Sequence, residues 1–337
     1  MELSLSPSQN HQYLLGNLKP RLSFSGRDFS VWKPKLRSKF EELIGFPQVE
    51  RPPLQPRQLW TQQHELGTIE KITFQAEPYS DILAYFCVPH GLQAPYPVVI
   101  CLQGHTTGMH VSIGMQREDE TQPMRVEGNR DFALGAMRNG FAALCIEQRS
   151  FGERSEKTQQ ARSSEGCYDA AMQALILGRT LVGERVFDVD RGLDYLESRG
   201  DIDMKRVGVM GNSGGGTTAI YSAALLDRIQ FAMPSCSFCT YRDSIMSIHH
   251  CADNYIPGLL LWAEQADVLG LFAPKPVVVV AGKTDDIFPI EGVRVAFDDL
   301  KQIYEAADAA DKCVWVEADG GHRFYESESW STLLKLI

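Results

Sequence analysis

The sequence predicts an α/β fold with a doubly wound, mostly parallel sheet that carries antiparallel strands at its N-terminal side. Near-continuous apolar runs at residues 97–102, 141–146 and 276–281 are typical of strands buried on both faces. These runs alternate with stretches of helical pattern along the chain, as they do in βαβ units. A chain of 337 residues, 44% of them hydrophobic, is long enough to bury one large core of this kind.

The first 57 residues are predicted to form a helical leader that packs on the core, and residues 58–337 form the main domain. Apolar residues recur at helical spacing from residue 29 to residue 46, and four prolines between positions 47 and 56 end this pattern. Two segments that follow, 69–74 and 82–88, are rich in β-branched and aromatic residues. They predict the antiparallel strands.

The remaining elements are predicted in the same way, from the spacing of apolar residues that is typical of helices or of strands. Residues 109–129 are polar without clear periodicity, and a loop of that length is more often functional than a simple connector. Residues 240–273 show no strand pattern, and we expect them to form a small helical cap over the site. Further strands are expected at 207–210, 231–235 and 314–316, and further helices at 131–139, 168–182, 184–199, from about 217, at 290–307 and at 329–337.

Composition excludes several classes of partner. The formal net charge of -10 argues against nucleic acid. No run of 18 apolar residues marks a membrane span, and the polar residues 1–10 lack the layout of a signal peptide. We therefore expect a cytoplasmic protein that acts on a small molecule, with neither nucleic acid nor membrane as partner. The sequence leaves open whether the protein is a homo-oligomer.

Eight cysteines fit a reducing compartment. Cys87, Cys101 and Cys145 lie in apolar strand-like runs and are expected to be small buried residues. Cys236 and Cys239 form a C-x-x-C pair, which could be a redox pair, half of a zinc site or two buried thiols. Because no second pair stands at zinc-site spacing, we expect buried thiols and no metal.

A Gly-x-Ser-x-Gly pattern, from Gly211 through Ser213 to Gly215, lies between an apolar strand and a helical stretch. This is the pattern of a nucleophile elbow. A serine on so sharp a turn has a strained backbone, and neighbours with a Cβ would collide across it. The pattern predicts that the Ser213 hydroxyl stands above the sheet edge, close to a helix N-terminus that favours negative charge.

An acid and a histidine follow Ser213 in the chain order that this elbow requires. His322 lies in a loop after the predicted strand 314–316. It can take the hydroxyl proton and return it to a leaving group, because histidine titrates near neutral pH. The acid that orients the imidazole is Asp285 or Asp286. We prefer Asp285, which stands three residues after Gly282, since Asp286 could cap the helix 290–307.

The oxyanion of a tetrahedral intermediate needs two donors. Gly214 supplies the backbone N–H after the nucleophile, and His105, in the loop after strand 97–102, is expected to supply the second. The His105 side chain could be catalytic, but we expect instead a loop histidine that is held by hydrogen bonds. His249 and His250 could line a pocket, but adjacent residues point in different directions, so a shared metal is not expected.

Several charged residues near these loops are expected to have structural roles. Glu147 and Arg149 could pair with each other, pair with the N-terminal leader or border the pocket. Asp188, Asp190 and Asp194 lie on a predicted helix and are expected to form a solvated or capping face.

Four segments resemble one family. They are the elbow at 211–218, the loop Gln103-Gly104-His105, the lead at 273–276 and the histidine loop at 320–324. They are similar to the acetyl xylan esterase-like and dienelactone hydrolase-like branches of the α/β-hydrolase superfamily, over roughly residues 60–330. The resemblance implies the α/β-hydrolase fold, no cofactor, and a serine carboxylic-ester hydrolase with the triad Ser213, Asp285 and His322.

The expected activity is cleavage of small carboxylic esters through an acyl-enzyme intermediate. A peptidase, a thioesterase or a carbon–carbon bond hydrolase would use the same triad. A hydrolase-like protein that only binds a ligand would instead lack a triad residue. The sequence does not distinguish among esters.

Overall fold

The computed structural model describes residues 3–26, 28–105, 107–155 and 166–337. Numbered in chain order, the strands are β1 (Arg57–His64), β2 (Gly67–Glu77), β3 (Ser80–Pro89), β4 (Tyr96–Leu102), β5 (Ala142–Ile146), β6 (Ile202–Asn212), β7 (Phe231–Ser235), β8 (Val277–Gly282) and β9 (Cys313–Ala318). The helices are α1 (Pro7–Asn17), α2 (Phe29–Ile44), α3 (Phe132–Arg138), α4 (Tyr168–Ile176), α5 (Leu181–Arg199), α6 (Gly214–Leu225), α7 (Gln265–Gly270), α8 (Ile290–Ala306) and α9 (Glu326–Leu333).

The nine strands found in the described residues form one sheet in the order β1-β2-β3-β5-β4-β6-β7-β8-β9. The first three strands and the β3–β5 pair are antiparallel, whereas β5, β4, β6, β7, β8 and β9 pair in parallel. The predicted fold class is confirmed. Since parallel strands end at the same edge, the loops after β4, β6, β8 and β9 converge there.

Both faces of the sheet are covered, which explains why the central strands are apolar throughout. In β4, Val98, Ile100 and Leu102 pack into a core with α2, α5, α6, α7 and α8. Val99 and Cys101 point to the opposite face and pack with α3 and α9. Each large aliphatic side chain so buried contributes about 1.5–3 kcal/mol of hydrophobic free energy.

Helix α2 has the predicted amphipathic pattern, and Trp32, Leu36, Phe40 and Ile44 are buried in the core. Helix α1 was not predicted. Only Leu15 is buried in α1, so its sequence carries no apolar stripe from which to infer a helix. The division into a leader, a main domain and a cap at 240–273 stays a prediction.

The expectation for the aspartates of α5 was wrong for two of them. Asp188 and Asp190 are buried and pair with cations from other elements. Arg149 Nη2 lies 2.8 Å from Asp188 Oδ1, and Arg228 Nη2 lies 2.7 Å from Asp190 Oδ1. The helix pattern could not reveal these partners, which are distant in sequence.

In the described part of the chain, no helix combines the length and the apolarity needed to cross a bilayer.

Candidate active site

Ser213 occupies the turn between β6 and α6 with φ 56° and ψ −126°. A non-glycine residue at positive φ is strained and is held there by its surroundings. Its backbone N–H donates to the Ser235 carbonyl oxygen at 2.9 Å. Helix α6 begins at Gly214, three residues earlier than predicted, because Ser213 itself is the N-cap.

The glycines on either side of Ser213 are required by close backbone contacts. A Cβ on Gly215 would lie 2.0 Å from the Leu102 carbonyl oxygen, and one on Gly211 would lie 2.4 Å from the backbone of Gly215. A Cβ on Gly104 would lie 3.0 Å from the Ser213 Cβ. The turn therefore fits against the end of β4 only without these side chains.

Asp285 and His322, in the loops after β8 and β9, are hydrogen-bonded to each other. His322 Nδ1 lies 2.8 Å from Asp285 Oδ2. Asp285 Oδ1 accepts from the backbone N–H groups of Ile287 at 2.9 Å and Phe288 at 3.1 Å. Burial raises the pKa of Asp285, but the hydrogen bond and charge of His322 outweigh burial and hold that pKa below its ordinary value. Asp286 is exposed.

Ser213 and His322 do not form a hydrogen bond with each other in this structure. Among the described residues, no hydrogen bond links Ser213 Oγ to the His322 imidazole. Phe288 stacks on the His322 ring at 6.0 Å and limits its movement on one face. Contacts of this kind are often long without substrate and tighten in the Michaelis complex.

His105 lies against the nucleophile turn, where its ring would be 2.7 Å from a Cβ on Gly214. Its Nε2 atom lies 3.0 Å from Asp253 Oδ2, and Phe151 packs edge-on at 4.8 Å. Burial lowers the pKa of His105, yet the charge of Asp253 outweighs burial and raises this pKa to about 9. The His105 side chain is thus hydrogen-bonded, and this partner lies 148 residues away in the chain.

Asp253 also pairs with the buried guanidinium of Arg185. Two thiols complete this group: the ligand atoms of His105, Cys167, Cys251 and Asp253 all lie within 4.8 Å of one another. These are zinc-type donors. However, Arg185 Nη2 also donates to Cys167 Sγ at 3.4 Å, so a cation already faces the donors.

The C-x-x-C thiols are buried and carry protons. Cys236 Sγ lies 3.1 Å from the Arg323 carbonyl oxygen and Cys239 Sγ lies 3.8 Å from that of Pro289. Burial raises the pKa of each thiol to about 12. Cys236 is nevertheless close to the triad candidates, because its Sγ lies within 4.8 Å of ligand atoms of Asp285 and His322.

A cavity of about 760 Å³ opens beside Ser213. Segments from across the chain line it, including part of the polar loop 109–129 and the segment 248–254 of the predicted cap. The lining residues are His105, Thr107, His110, Arg117, Glu118, Ser150, Phe151, Gly152, Ser155, Gly166, Cys167, Ser213, Gly214, Ile248, His249, His250, Cys251, Asn254, Ile287 and Phe288. Its wall is rich in histidine and other hydrogen-bonding groups.

His249 and His250 both line this cavity. His250 Nε2 lies 3.1 Å from Ser244 Oγ, and its ring packs edge-on against Phe288. Burial lowers the pKa of His250 to about 4, so this imidazole is neutral at pH 7 and can exchange hydrogen bonds with a bound molecule.

The sequence reasoning missed Arg185, Asp253 and Cys167. One signal was available for Arg185, which stands on the apolar stripe of α5 between the buried residues Val182 and Val189. A charged residue on such a stripe needs a buried partner. Nothing local in the sequence indicates that Asp253 is that partner.

The sequence model of the Abhydrolase family matches residues 5–313 of this chain. YtaP, a candidate hydrolase of Bacillus subtilis (strain 168), is 26% identical over 281 residues, which cover 81% of this chain and 88% of YtaP.

Two solved structures show the same fold. A candidate acetyl xylan esterase from Bacteroides fragilis NCTC 9343 superposes with a TM-score of 0.79 at 20% identity, covering 94% of this chain and 82% of that one. A glucuronoyl esterase from Solibacter usitatus superposes with a TM-score of 0.65 at 16% identity, covering 94% and 96%.

Proposed function

The chain belongs to the Abhydrolase family of α/β-hydrolases, and from this premise we propose that it is a serine hydrolase of small carboxylic esters. Ser213 is the nucleophile, His322 the general base and acid, and Asp285 the residue that orients the imidazole. The observation that carries the proposal is the strained backbone of Ser213, φ 56°, on a turn that opens into the cavity.

The roles follow from proton chemistry. A serine hydroxyl is a weak nucleophile until a base removes its proton as it attacks the acyl carbon. Because Asp285 accepts from Nδ1 of His322, it fixes the tautomer in which Nε2 is free to act as base. The same carboxylate stabilises the imidazolium that forms. Nε2 then returns the proton to the leaving alcohol, and water repeats the cycle on the acyl-enzyme.

The backbone N–H groups of Gly214 and His105 are the proposed oxyanion donors. Gly214 is the first residue of α6, where an N–H group has no partner within the helix and the helix dipole favours negative charge. Donors fixed before the reaction can each contribute about 3–4 kcal/mol to transition-state stabilisation. The imidazolium of His105 adds positive charge beside this site.

We propose an acylated or esterified carbohydrate as the substrate class. The solved relatives include proteins named as acetyl xylan and glucuronoyl esterases. The wall of this cavity offers histidines, Arg117 and Asn254, which are suited to hydroxyl and carboxylate groups of a sugar. The eight cysteines, all free thiols in the structure, favour a reducing, cytoplasmic location.

Hydrolysis of p-nitrophenyl acetate and labelling by a fluorophosphonate test the serine mechanism together. The wild type is expected to do both and Ser213→Ala neither, with an unchanged unfolding midpoint. Ser222→Ala is the matched control, since Ser222 is buried in the same helix and its Oγ has no hydrogen-bond partner among the described residues. Turnover by Ser213→Ala comparable to wild type would refute the proposed nucleophile.

A further inference from the structure

Two of the eight cysteines, Cys167 and Cys251, lie on the wall of the active-site cavity. Cys167 Sγ accepts from Arg185 Nη2 at 3.4 Å and lies beside the His105 imidazole. By contrast, burial raises the pKa of Cys236, Cys239 and Cys313, and in the described part of the chain no such cation donates to their sulfur atoms. Nearby cations favour the thiolate, which is the reactive form of cysteine.

Cys251 is the neighbour of this thiol. Its Sγ lies within 4.8 Å of Cys167 Sγ. Cys167 lies in a turn just before helix α4, and Cys251 lies just before the short 3₁₀ turn Ala252–Asn254. A disulfide requires the sulfur atoms to approach to about 2.05 Å, and segments outside the sheet allow that shift at least cost.

We propose that Cys167 and Cys251 form a reversible thiol–disulfide site on the wall of the active-site cavity, which a small hydroperoxide oxidises. Cys167 is the attacking thiolate and Cys251 the resolving thiol. Both residues line the cavity that holds Ser213. Cys167 is only 2% exposed, so the cavity admits a small oxidant to it and excludes a bulky one.

The charges of the cluster favour this chemistry over a bound metal. The cations of Arg185 and His105 balance the carboxylate of Asp253 and the thiolate of Cys167 without a further ion. A divalent cation among the same donors would face the guanidinium of Arg185, which is itself 2% exposed. The hydrogen bond from Cys251 and the nearby charges lower the pKa of Cys167 to about 5, in agreement with this arrangement.

The oxidation balances in two steps. The Cys167 thiolate attacks the terminal oxygen of the hydroperoxide, the O–O bond breaks, and the leaving hydroxide or alkoxide takes a proton, so that Cys167 becomes a sulfenic acid. The sulfur of Cys251 then attacks the Cys167 sulfur, its own proton joins the departing hydroxide as water, and the S–S bond forms. Two thiols are oxidised, one hydroperoxide is reduced, and a dithiol such as dithiothreitol reverses the reaction.

The disulfide would also slow ester hydrolysis, a consequence that rests on the proposed function. It removes the anion next to His105 and ties residue 251 to residue 167 on the cavity wall. His105 carries one of the proposed oxyanion donors, so a shift of its loop lowers turnover. The disulfide itself can be tested without any substrate.

The experiment uses the full-length protein, reduced, freed of reductant and treated with a small excess of hydrogen peroxide. Digestion without reductant followed by mass spectrometry is expected to yield a 167–251 cross-linked peptide that dithiothreitol abolishes. Cys251→Ser is expected to stop at the sulfenic acid of Cys167, trapped by dimedone, and Cys167→Ser is expected to yield neither product. Cys313→Ser, a buried thiol at the start of β9, is the control and should cross-link like the wild type.

Free thiols at both positions after peroxide, or a cross-link between other cysteines, would overturn the proposal. So would one equivalent of zinc in the protein as purified, held by these thiols and released only by a chelator. The cross-linked wild type is expected to hydrolyse p-nitrophenyl acetate several-fold more slowly than the reduced protein. Equal turnover of the two forms would show that the disulfide does not regulate ester hydrolysis. No turnover in either form would refute the proposed esterase activity. In that case the presence or absence of the 167–251 cross-link would still decide whether the thiol site exists.

Discussion

Asp253 holds His105 through both carboxylate oxygens: His105 Nε2 lies 3.1 Å from Oδ1 and 3.0 Å from Oδ2. The Asp253 side chain is 2% exposed and that of His105 is 26% exposed. A buried carboxylate thus places a positive imidazolium against the nucleophile turn. This ion pair makes the free energy of unfolding depend on pH. Between pH 6.5 and pH 9, His105 keeps its proton in the folded state and loses it in the unfolded chain.

The first prediction concerns stability between pH 6.5 and pH 9. The pKa of His105 is raised from 6.5 to about 9, so its contribution is complete below pH 6.5 and is lost as the pH rises through 9. The pKa of Cys167, lowered from 9.0 to about 5, acts oppositely, because its contribution is complete above pH 9 and declines as the pH falls from 9 towards 5. In Cys167→Ser only the histidine effect remains, and we expect the free energy of unfolding to fall by about 1–3 kcal/mol over this range.

Urea unfolding measured at intervals from pH 6.5 to 9 checks this prediction, with Cys313→Ser as the control. The wild type and the control are expected to show a flatter dependence than Cys167→Ser. Parallel curves for all three proteins would show that the imidazolium and the thiolate do not oppose each other in this way.

The second prediction separates Asp285 from its neighbour. Asp285→Asn keeps an oxygen for the N–H groups of Ile287 and Phe288, but then presents an amide N–H to His322 Nδ1 and favours the wrong tautomer. We expect kcat for p-nitrophenyl acetate to fall on the order of 10⁴-fold. Asp286→Asn, at an exposed site, should change kcat little. A greater loss in Asp286→Asn would reassign the acid.

The sequence predicted the central strands and the major helices well, because burial on one or both faces leaves a clear periodicity. Strand β7 (Phe231–Ser235) has the predicted bounds, and α8 begins at the predicted residue. The candidate residues Ser213, Asp285 and His322 could be named because each follows an apolar strand in the chain order of the fold.

The ion pairs of Asp253 at the cavity could not be predicted in the same way. Asp253 lies in a segment without periodicity, and its partners His105 and Arg185 are 148 and 68 residues away. Local pattern carries no information on such pairs. The same limit applies to Asp188, which a helix pattern placed on a solvated face and which is buried against Arg149 and Arg154.

The third prediction tests the close contact between β4 and the nucleophile turn. In Gly215→Ala the new Cβ would meet the Leu102 carbonyl oxygen at 2.0 Å, and a backbone atom cannot rotate away. We expect a loss of about 3 kcal/mol or more in the free energy of unfolding, with loss of esterase activity. Gly16→Ala, in α1 with no heavy atom within 4 Å of its Cβ, is the control and should lose neither. Equal stability of the two variants would contradict the steric argument.

The last prediction concerns the attachment of the N-terminal segment to α7. Asp267 is buried; its Oδ1 accepts from the Phe24 N–H at 2.7 Å and its Oδ2 from Ser23 Oγ at 2.9 Å and the Glu264 N–H at 2.8 Å. Asp267→Ala leaves these donors without the carboxylate, and an unsatisfied buried donor costs about 1–3 kcal/mol. We therefore expect a loss of at least about 2 kcal/mol in unfolding free energy and faster hydrogen exchange at the Phe24 amide. Asp311→Ala, at an exposed position, is the control and should change neither the unfolding free energy nor the exchange rate. Slow exchange at the Phe24 amide in Asp267→Ala would show that other contacts hold the N-terminal segment in place.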